Sequence, residues 1–459
     1  MAGGTWIDQN KVRPGVYINY SSVPSSLATM GERGVVCIAK QLDWGKSGEF
    51  IVIEDPTECF TKLGYDQSDY SMNWLRQILL GTNRSSGASK VLIWRLACTG
   101  EVNATATQTE DANTLAVKAK YAGVRGNNIS VIVTADPDNS QSHVIFYVQT
   151  LVGSNVVDNQ KLEAYSSSVA LSNLQNNDWV EFTTKTGDAF VTTLTLSNGS
   201  NGSVSPTAYS EFMTNAELQT WNVLAYGGSD AVTKSALTSF VKRLSNDEGK
   251  KVQACLSNYP TADNECVISV MEQLITDLTG RTFTNEEMVC WVSGATAGAS
   301  VAQSLTYAAH PDAASISPIL SSSQQIDAIN AGQFAFIDEF GAIKNLQDNN
   351  TFTTFSATKG KAFRKNRVIR VLFGLANDIY KLYSRYYIGN TNNDDFGRSL
   401  LKGEILDLLN RYQGAGAVQN VIADDVTVSK GVDSDSVLID LNCQPVDSIE
   451  KIYINITIS

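Results

Sequence analysis

The residues of this sequence that could carry acid–base or nucleophilic chemistry are few and poorly spaced. It contains two histidines, His143 in a predicted strand and His310 beside a proline. Ser304 lies six residues before His310, and residues six apart on a helix do not share a face. Asp338 and Glu339 are adjacent in a predicted hairpin turn, where neighbouring side chains point to opposite faces. We therefore predict a solvated turn there, and no catalytic residues anywhere in the chain.

The motifs that bind phosphate, calcium or transition metals are incomplete. WGKSG at 44–48 lacks the upstream glycine of a phosphate loop, because Lys40 occupies that position. DPDNSQ at 136–141 begins like a calcium loop but has Gln141 where glycine must turn. The seven cysteines are scattered without a C-x-x-C pair, which predicts buried free thiols in a reducing compartment. We expect no cofactor, no metal site and no enzymatic activity.

Composition excludes two further classes of partner. The chain has 459 residues, with 35 basic and 47 acidic side chains and a net charge of −12. Such an acidic chain is a poor ligand for a phosphate backbone, so we expect no nucleic-acid partner. No apolar run approaches the roughly 18 residues that cross a bilayer, and the N-terminus lacks the apolar segment of a secretory signal. We therefore expect no direct membrane insertion.

The elements that would position any site fall into several regions. Buried strands at 35–39 and 90–96, with helices between them, predict a small α/β domain over 31–98. Short strands rich in Thr, Ser and Val predict an inserted β-sandwich domain over 99–205. Alternating helices and strands predict an α/β domain over 206–350, which includes a small-residue helix through 287–309 and a hairpin near 338–341. The segment GATAGAS at 294–300 predicts close helix packing rather than a nucleotide loop.

A long helix is predicted over 361–387, at the start of a C-terminal domain over 351–447. Its flank is strongly basic, because residues 359–387 contain eight Lys or Arg against one acid, Asp378. Most of these cations lie near the N-terminal end, which the helix dipole disfavours. They are consistent with either a solvated face or a docking surface for an acidic protein.

Both termini are predicted to be extended arms, over 1–30 and 448–459. The island GVYINY places Val16, Ile18 and Tyr20 on one face and Tyr17 on the other. The closing segment KIYINITIS alternates in the same way, with Ile452, Ile454, Ile456 and Ile458 on one face and Tyr453 among the residues of the other. An edge strand of this kind either pairs within its own sheet or pairs with a neighbouring chain.

Several segments resemble one family, and they occur in that family's order along nearly the whole chain. They are RPGVYINY, KAKYAGVRGNNISVIV, VSGATAGASVAQSLTY, TFTTFSATKGKAFRKNRVIRV, YIGNTNNDDFGRSLLKGEI and VDSIEKIYINITI. Together they resemble the tail sheath proteins of contractile phages, and most of all those of Gram-positive myophages, defective prophage particles and R-type bacteriocins.

This resemblance implies a structural protein of multidomain α+β or α/β class. It implies hexameric rings stacked helically around a tail tube, with terminal arms that pair with the C-terminal domains of neighbours. The middle domain is expected to be subtilisin-like without a protease triad, and the sandwich is expected on the outer surface. The inter-subunit strand residues would be Val16, Tyr17, Ile18, Tyr20, Ile452, Tyr453, Ile454, Ile456 and Ile458. The tube-docking residues would be Lys361, Arg364, Lys365, Arg367 and Arg370.

The expected partners are further copies of the chain, a tail tube protein, and the baseplate and terminator or collar proteins. Such a subunit would assemble in a bacterial host cytoplasm and be released in a phage virion or a bacteriocin-like particle. The alternative is a secreted or surface protein whose β-sandwich binds carbohydrate, because the 99–205 region is rich in residues that suit glycan contact.

Overall fold

A computed structural model describes residues 3–4, 16–17, 30 and 33–458 of the chain. It divides into two compact units, of which the larger contains residues 32–376 and 445–459 and the smaller contains residues 1–31 and 377–444. The predicted arm residues Ile18 and Tyr20 lie outside the described residues.

The larger unit is built on a seven-stranded central sheet. Its strands, from one edge to the other, are Gln333–Phe334, Val267–Val270, Gln253–Ser257, Val223–Tyr226, Val35–Lys40, Lys90–Arg95 and Phe50–Ile53. Neighbouring strands are parallel except for the last pair, which is antiparallel. The two segments predicted as separate α/β domains, 31–98 and 206–350, therefore share one sheet.

Strand alternation gives this sheet a separate apolar core on each face. Val36, Ile38 and Val223 belong to one buried cluster. Cys37 and Leu224, which alternate with them, belong to the other. Such near-continuous apolar strands are typical of parallel sheets covered by helices on both sides.

Six α-helices lie between residues 33 and 349 of this unit, and the one predicted through 287–309 is shorter than expected. They are Cys59–Leu63, Asn73–Leu80, Ala208–Glu217, Ala231–Asn246, Asn285–Gly298 and Ser322–Asn330. The helix predicted through 287–309 ends at Gly298, and Ala299 already has extended backbone angles. The predicted close packing is confirmed, because a Cβ on Gly294 would lie 1.9 Å from the carbonyl oxygen of Ile78.

The inserted region folds as two antiparallel sheets around one core. The first contains Asn155–Ala164, Val144–Val152, Ile129–Ala135 and Thr192–Thr195, and the second contains Val180–Thr186, Asn113–Ala119 and Thr105–Glu110. Buried side chains from both sheets form a single cluster. The chain enters and leaves this sandwich through two short strands, Cys98–Thr99 and Ser203–Val204, which pair antiparallel.

One tryptophan of the sandwich core lies outside residues 99–205. Trp44, in the loop after the strand Val35–Lys40, is fully buried. Its ring stacks on Trp179 and meets Tyr121 edge-on, each at 5.1 Å between ring centres. Buried Arg95 adds polar contacts, with Nη1 donating to the Gly45 carbonyl at 2.6 Å and Nη2 donating to the Ala122 carbonyl at 2.9 Å. The sandwich is thus attached to the sheet by packing as well as by the chain.

Two antiparallel strand pairs complete the larger unit. One is a two-stranded sheet of Leu274–Asp277 and Ala313–Ser317, whose strands are separated by the helix Asn285–Gly298, and the other is a true hairpin, at the predicted position, of Phe336–Glu339 and Ala342–Asn345. A 3-10 turn at Lys361–Arg364 precedes the long helix Asn366–Tyr386. The observed helix therefore begins five residues after the predicted start at 361.

The smaller unit contains a second helix and a hairpin. Asp394 is the N-cap of the helix Asp395–Gly414, and its carboxylate accepts a hydrogen bond from Gly397 N at 2.8 Å. The strands Val426–Lys430 and Val437–Leu441 form the antiparallel hairpin. Gly3–Gly4 and Val16–Tyr17 pair in parallel.

Candidate functional site

The C-terminal arm is the most exposed apolar segment among residues 33–458. Residues 451–458 are all exposed and none belongs to a strand. The four isoleucines of the predicted face, Ile452, Ile454, Ile456 and Ile458, are 75–93 % exposed, and Tyr453 on the other face is 90 % exposed. Burying an isoleucine side chain contributes about 1.5–3 kcal/mol, so this segment holds substantial unused binding energy.

The root of the arm is firmly held, in contrast to the arm itself. We use arm root for residues Asp447–Glu450. The Glu450 side chain is 11 % exposed and forms an ion pair with Lys365. Its Oε1 accepts a hydrogen bond from Thr306 Oγ1 at 2.8 Å, and its Oε2 accepts one from Gln347 Nε2 at 2.8 Å. Glu450 is therefore the last residue of the chain that is held by side-chain contacts before the exposed segment 451–458, although Ile449 beside it is 87 % exposed.

The electrostatics of this carboxylate favour its charged form. Burial alone raises the pKa of Glu450, but hydrogen bonds from Lys365, Gln347 and Thr306 outweigh burial and place its pKa below the usual 4.5. Lys365 also lies 3.5 Å from Asp447, a second and more exposed carboxylate of the arm root. Lys365 is therefore engaged by the arm of its own subunit.

The five cations predicted to dock a tube differ widely in exposure. Lys361 is exposed, and Lys365 and Arg367 are partly buried. Arg364 is buried, which lowers its pKa, and its guanidinium lies 5.9 Å from the ring centre of Phe355. Of these five residues, Lys361 is the one that is exposed.

Arg370 requires a correction to the predicted docking set. Its side chain is 0 % exposed and faces Asp348, which is 1 % exposed, at 3.5 Å. Its Nη1 also donates to the Gln303 carbonyl at 2.6 Å. An enclosed guanidinium offers no surface to a second protein, so the geometry assigns Arg370 to the core. This pairing has no local signal in the sequence, because Asp348 lies in a loop 22 residues away.

Asp338 and the two histidines, His143 and His310, each have a partner in the fold. His310 Nε2 lies 2.8 Å from Gln77 Oε1, and burial lowers the pKa of this histidine to about 4. Asp338 accepts a hydrogen bond from Gly341 N at 3.0 Å, as a turn residue does. His143 lies 2.8 Å from Glu163 on the sandwich and stacks on exposed Tyr165.

Within residues 33–458, no group of three or more His, Cys, Asp or Glu side chains is placed to hold a metal ion. The seven cysteines are free thiols, and burial raises the pKa of Cys59 and of Cys266 to about 11. No helix of the described residues is long and apolar enough to cross a membrane.

Consecutive segments of the chain match four domains of one protein family. Residues 33–96 match the N-terminal region of tail sheath protein domain III, 99–201 the phage tail sheath beta-sandwich domain, 202–349 the phage tail sheath central domain and 358–459 the phage tail sheath C-terminal domain. The crystal structure of the sheath tail protein from Desulfitobacterium hafniense is 38 % identical, with a TM-score of 0.81, over 96 % of this chain and 99 % of that chain. The chain belongs to the phage tail sheath protein family.

Two further proteins resemble this sheath protein. The phage-like element PBSX protein XkdK of Bacillus subtilis is 29 % identical over the full length of both chains. The helical sheath of the anti-feeding prophage, solved in the contracted state, is 12 % identical with a TM-score of 0.57 over 97 % of this chain and 98 % of that chain. At that identity the likeness concerns the fold alone.

Proposed function

We propose that this chain is the structural subunit of a contractile tail sheath, in which the C-terminal arm adds a strand to a neighbouring copy. The observation that carries this proposal is the exposed isoleucine face of residues 452–458, presented by a member of the sheath family. A strand of this kind binds a sheet edge through its main chain and sets its register through the apolar face. Burial of four isoleucines would contribute about 6–12 kcal/mol before the costs of association.

The acceptor in this proposal is the C-terminal domain of the neighbour. Its hairpin, Val426–Lys430 with Val437–Leu441, has two strands, and a two-stranded hairpin is marginally stable alone. An added arm would extend it. The arm residues 451–458 span about 26 Å when extended, at about 3.3 Å per residue, which reaches an adjacent subunit. Val16, Tyr17, Ile18 and Tyr20 are proposed to act similarly at the other terminus.

The assembly proposed is a helical stack of hexameric rings around a tail tube, bounded by baseplate and terminator or collar proteins. Contraction requires two arrangements of this lattice that differ in interface free energy, with the arms keeping subunits connected while the globular parts rotate. Movement of the tube through a cell envelope follows from that contraction. The subunit would then be part of a phage tail or a bacteriocin-like particle, assembled in the host cytoplasm.

We also infer that the central sheet with its helices is the family's subtilisin-like domain, retained without protease chemistry. The largely parallel seven-stranded order supports this inference. So does the position of His310, whose side chain bonds an amide, Gln77, in the buried interior.

Substitutions on the two faces of the arm test the proposed function. The variant Ile454→Ser/Ile456→Ser should remain folded but form few or no sheath tubes, as seen by negative-stain electron microscopy of the concentrated protein. The matched control is Asn455→Ser/Thr457→Ser, which alters the opposite face of the same segment and should assemble normally. Tubes of normal length and order from the isoleucine variant would overturn the proposal.

The proposed tube contact now rests mainly on Lys361. We expect Lys361→Glu to weaken tube-templated assembly at low salt, with the difference from the native chain shrinking as ionic strength rises. Lys46→Glu reverses another surface cation, whose side chain is 58 % exposed, and serves as the control. Equal assembly of both variants on tubes at low salt would remove Lys361 from the docking surface.

A further inference from the structure

The carboxylate of Glu450 is held by a set of donors from three separate segments of the larger unit. Thr306 follows the helix Asn285–Gly298, Gln347 follows the strand Ala342–Asn345, and Lys365 immediately precedes the helix Asn366–Tyr386. All three contact Glu450 through hydrogen bonds or an ion pair. Side chains 85–144 residues away in sequence thus meet at one residue of the arm root.

This set of donors is specific for an anionic acceptor. The Thr306 hydroxyl accepts a hydrogen bond from the Asp348 N–H at 3.0 Å, so its own proton is directed to Glu450. Gln347 presents an N–H and Lys365 an ammonium group. A glutamine at position 450 would lose the ion pair with Lys365, and Gln347 would have to turn its buried, unpartnered Oε1 toward the new amide to accept from it. The site therefore distinguishes a carboxylate from its neutral isostere.

We propose that Glu450 is a positioning residue that fixes the C-terminal arm to the central part of its own subunit, so that residues 451–458 leave from one defined point. The inference rests on the proposed function, because it concerns the arm that would be exchanged. An anchored arm searches only the volume within its own reach of about 26 Å. Anchoring also reduces the conformational entropy that strand addition must overcome.

The same contact links the arm to the basic segment. Lys365 was predicted to face the tube, yet its ammonium group is bound by Glu450 and lies near Asp447. The remaining charges near Glu450 include Arg364, which interacts with it electrostatically. A change in position of residues 361–365 would therefore move the origin of the arm.

Trypsin provides a direct measurement of the anchor, because exposed Lys451 follows Glu450 immediately. Cleavage there removes residues 452–459 and is detected by mass spectrometry of the intact, unassembled chain. A protease needs several residues on each side of the bond in extended form, so cleavage requires release of Glu450. Loss of a charged hydrogen-bonded contact should make release about ten- to hundredfold more frequent in Glu450→Gln, with the same increase in cleavage rate.

The matched control is Asp447→Asn, which removes the other carboxylate beside Lys365. Asp447 is 45 % exposed and lies 3.5 Å from Lys365, so its loss should change the cleavage rate less than about threefold. Thermal unfolding of the rest of the chain should be the same in all variants within a few degrees.

The outcome separates the anchor from the proposed strand exchange. Cleavage of Glu450→Gln at the native rate, in a chain with a native unfolding temperature, would overturn the anchor and leave strand exchange untouched. Faster cleavage of Glu450→Gln but not of Asp447→Asn supports the anchor even if the isoleucine-face variant assembles. If Glu450→Gln lowers the unfolding temperature markedly, Lys365→Met is tested in its place and must show the same accelerated cleavage.

Discussion

The buried pair of Arg370 and Asp348 gives the sharpest test of how the basic segment is built. Asp348 Oδ2 accepts a hydrogen bond from Leu305 N at 3.0 Å and faces Arg370, while Oδ1 accepts one from Asn366 Nδ2 at 3.0 Å. The substitution Asp348→Asn retains the size of the side chain. It removes the counter-charge of a guanidinium that is 0 % exposed and turns an amide N–H toward at least one donor.

The expected cost of this substitution is large. Removing one partner of a buried ion pair costs about 3–5 kcal/mol, because the other charge stays uncompensated. The remaining bond from Arg370 to the Gln303 carbonyl keeps the cost near the lower end. The larger unit holds residues 32–376 and 445–459, so at an unfolding entropy of about 2.1 cal/mol/K per residue a loss of about 3 kcal/mol should lower its unfolding temperature by about 4 °C.

Scanning calorimetry of the unassembled chain measures this shift. Asp178→Asn is the matched control, because its side chain is 95 % exposed and its ion pair with Lys120 is worth at most about 1 kcal/mol. If Arg370 instead served a surface contact, Asp348→Asn would leave the unfolding temperature within about 2 °C of the native value. That result would refute the assignment of Arg370 to the core.

The packing of small residues and the ionisation of a buried histidine give two further tests. Gly294→Ala should destabilise the larger unit by about 1–3 kcal/mol, because the added methyl group meets the carbonyl of Ile78. Gly403→Ala, with no atom within 4 Å of the added methyl group, should instead stabilise its helix by up to about 1 kcal/mol. Denaturant midpoints measure both changes. The pKa of His310 is lowered from 6.5 to about 4, so the unfolded chain binds a proton there below pH 6.5 and the folded chain does not. Stability should therefore fall as the pH drops from 6.5 toward 4, by up to about 1.4 kcal/mol per pH unit, and His310→Gln should show a shallower fall between pH 6.5 and 5.

Sequence periodicity predicted the local elements of this chain well. The strands predicted at 35–39 and 90–96 are observed as Val35–Lys40 and Lys90–Arg95, and the hairpin around 338–341 is where the turn residues indicated. Alternation and turn chemistry are local properties, and these segments follow them. The helix through 287–309 was predicted too long, because the alanines and the leucine of residues 299–309 favour a helix, yet the backbone is already extended at Ala299.

Long-range partners account for most of what the sequence did not predict. A cation in a basic helical segment is usually solvated, yet Arg370 pairs with Asp348 inside the fold. Glu450 looked like one charge among many in the last segment, and its partners come from three distant positions. Local sequence does not predict either contact, because each forms only where loops that follow the central strands come together in the fold. The two-faced strand of the arm stays a prediction, because residues 451–458 belong to no strand and are exposed on both faces.

The attachment of the sandwich through Trp44 has a mechanical consequence. Two paired strands, Cys98–Thr99 and Ser203–Val204, would by themselves form a narrow neck about which a domain could swivel. The indole of Trp44, buried against Trp179 and Tyr121, adds a third contact between the sandwich and the central sheet beside these two strands. Three supports that are not collinear resist both bending and twisting. A torque applied to the sandwich would therefore pass into the central sheet, and a shortened chain that lacks residues 99–201 would need a polar residue in place of Trp44 to remain soluble.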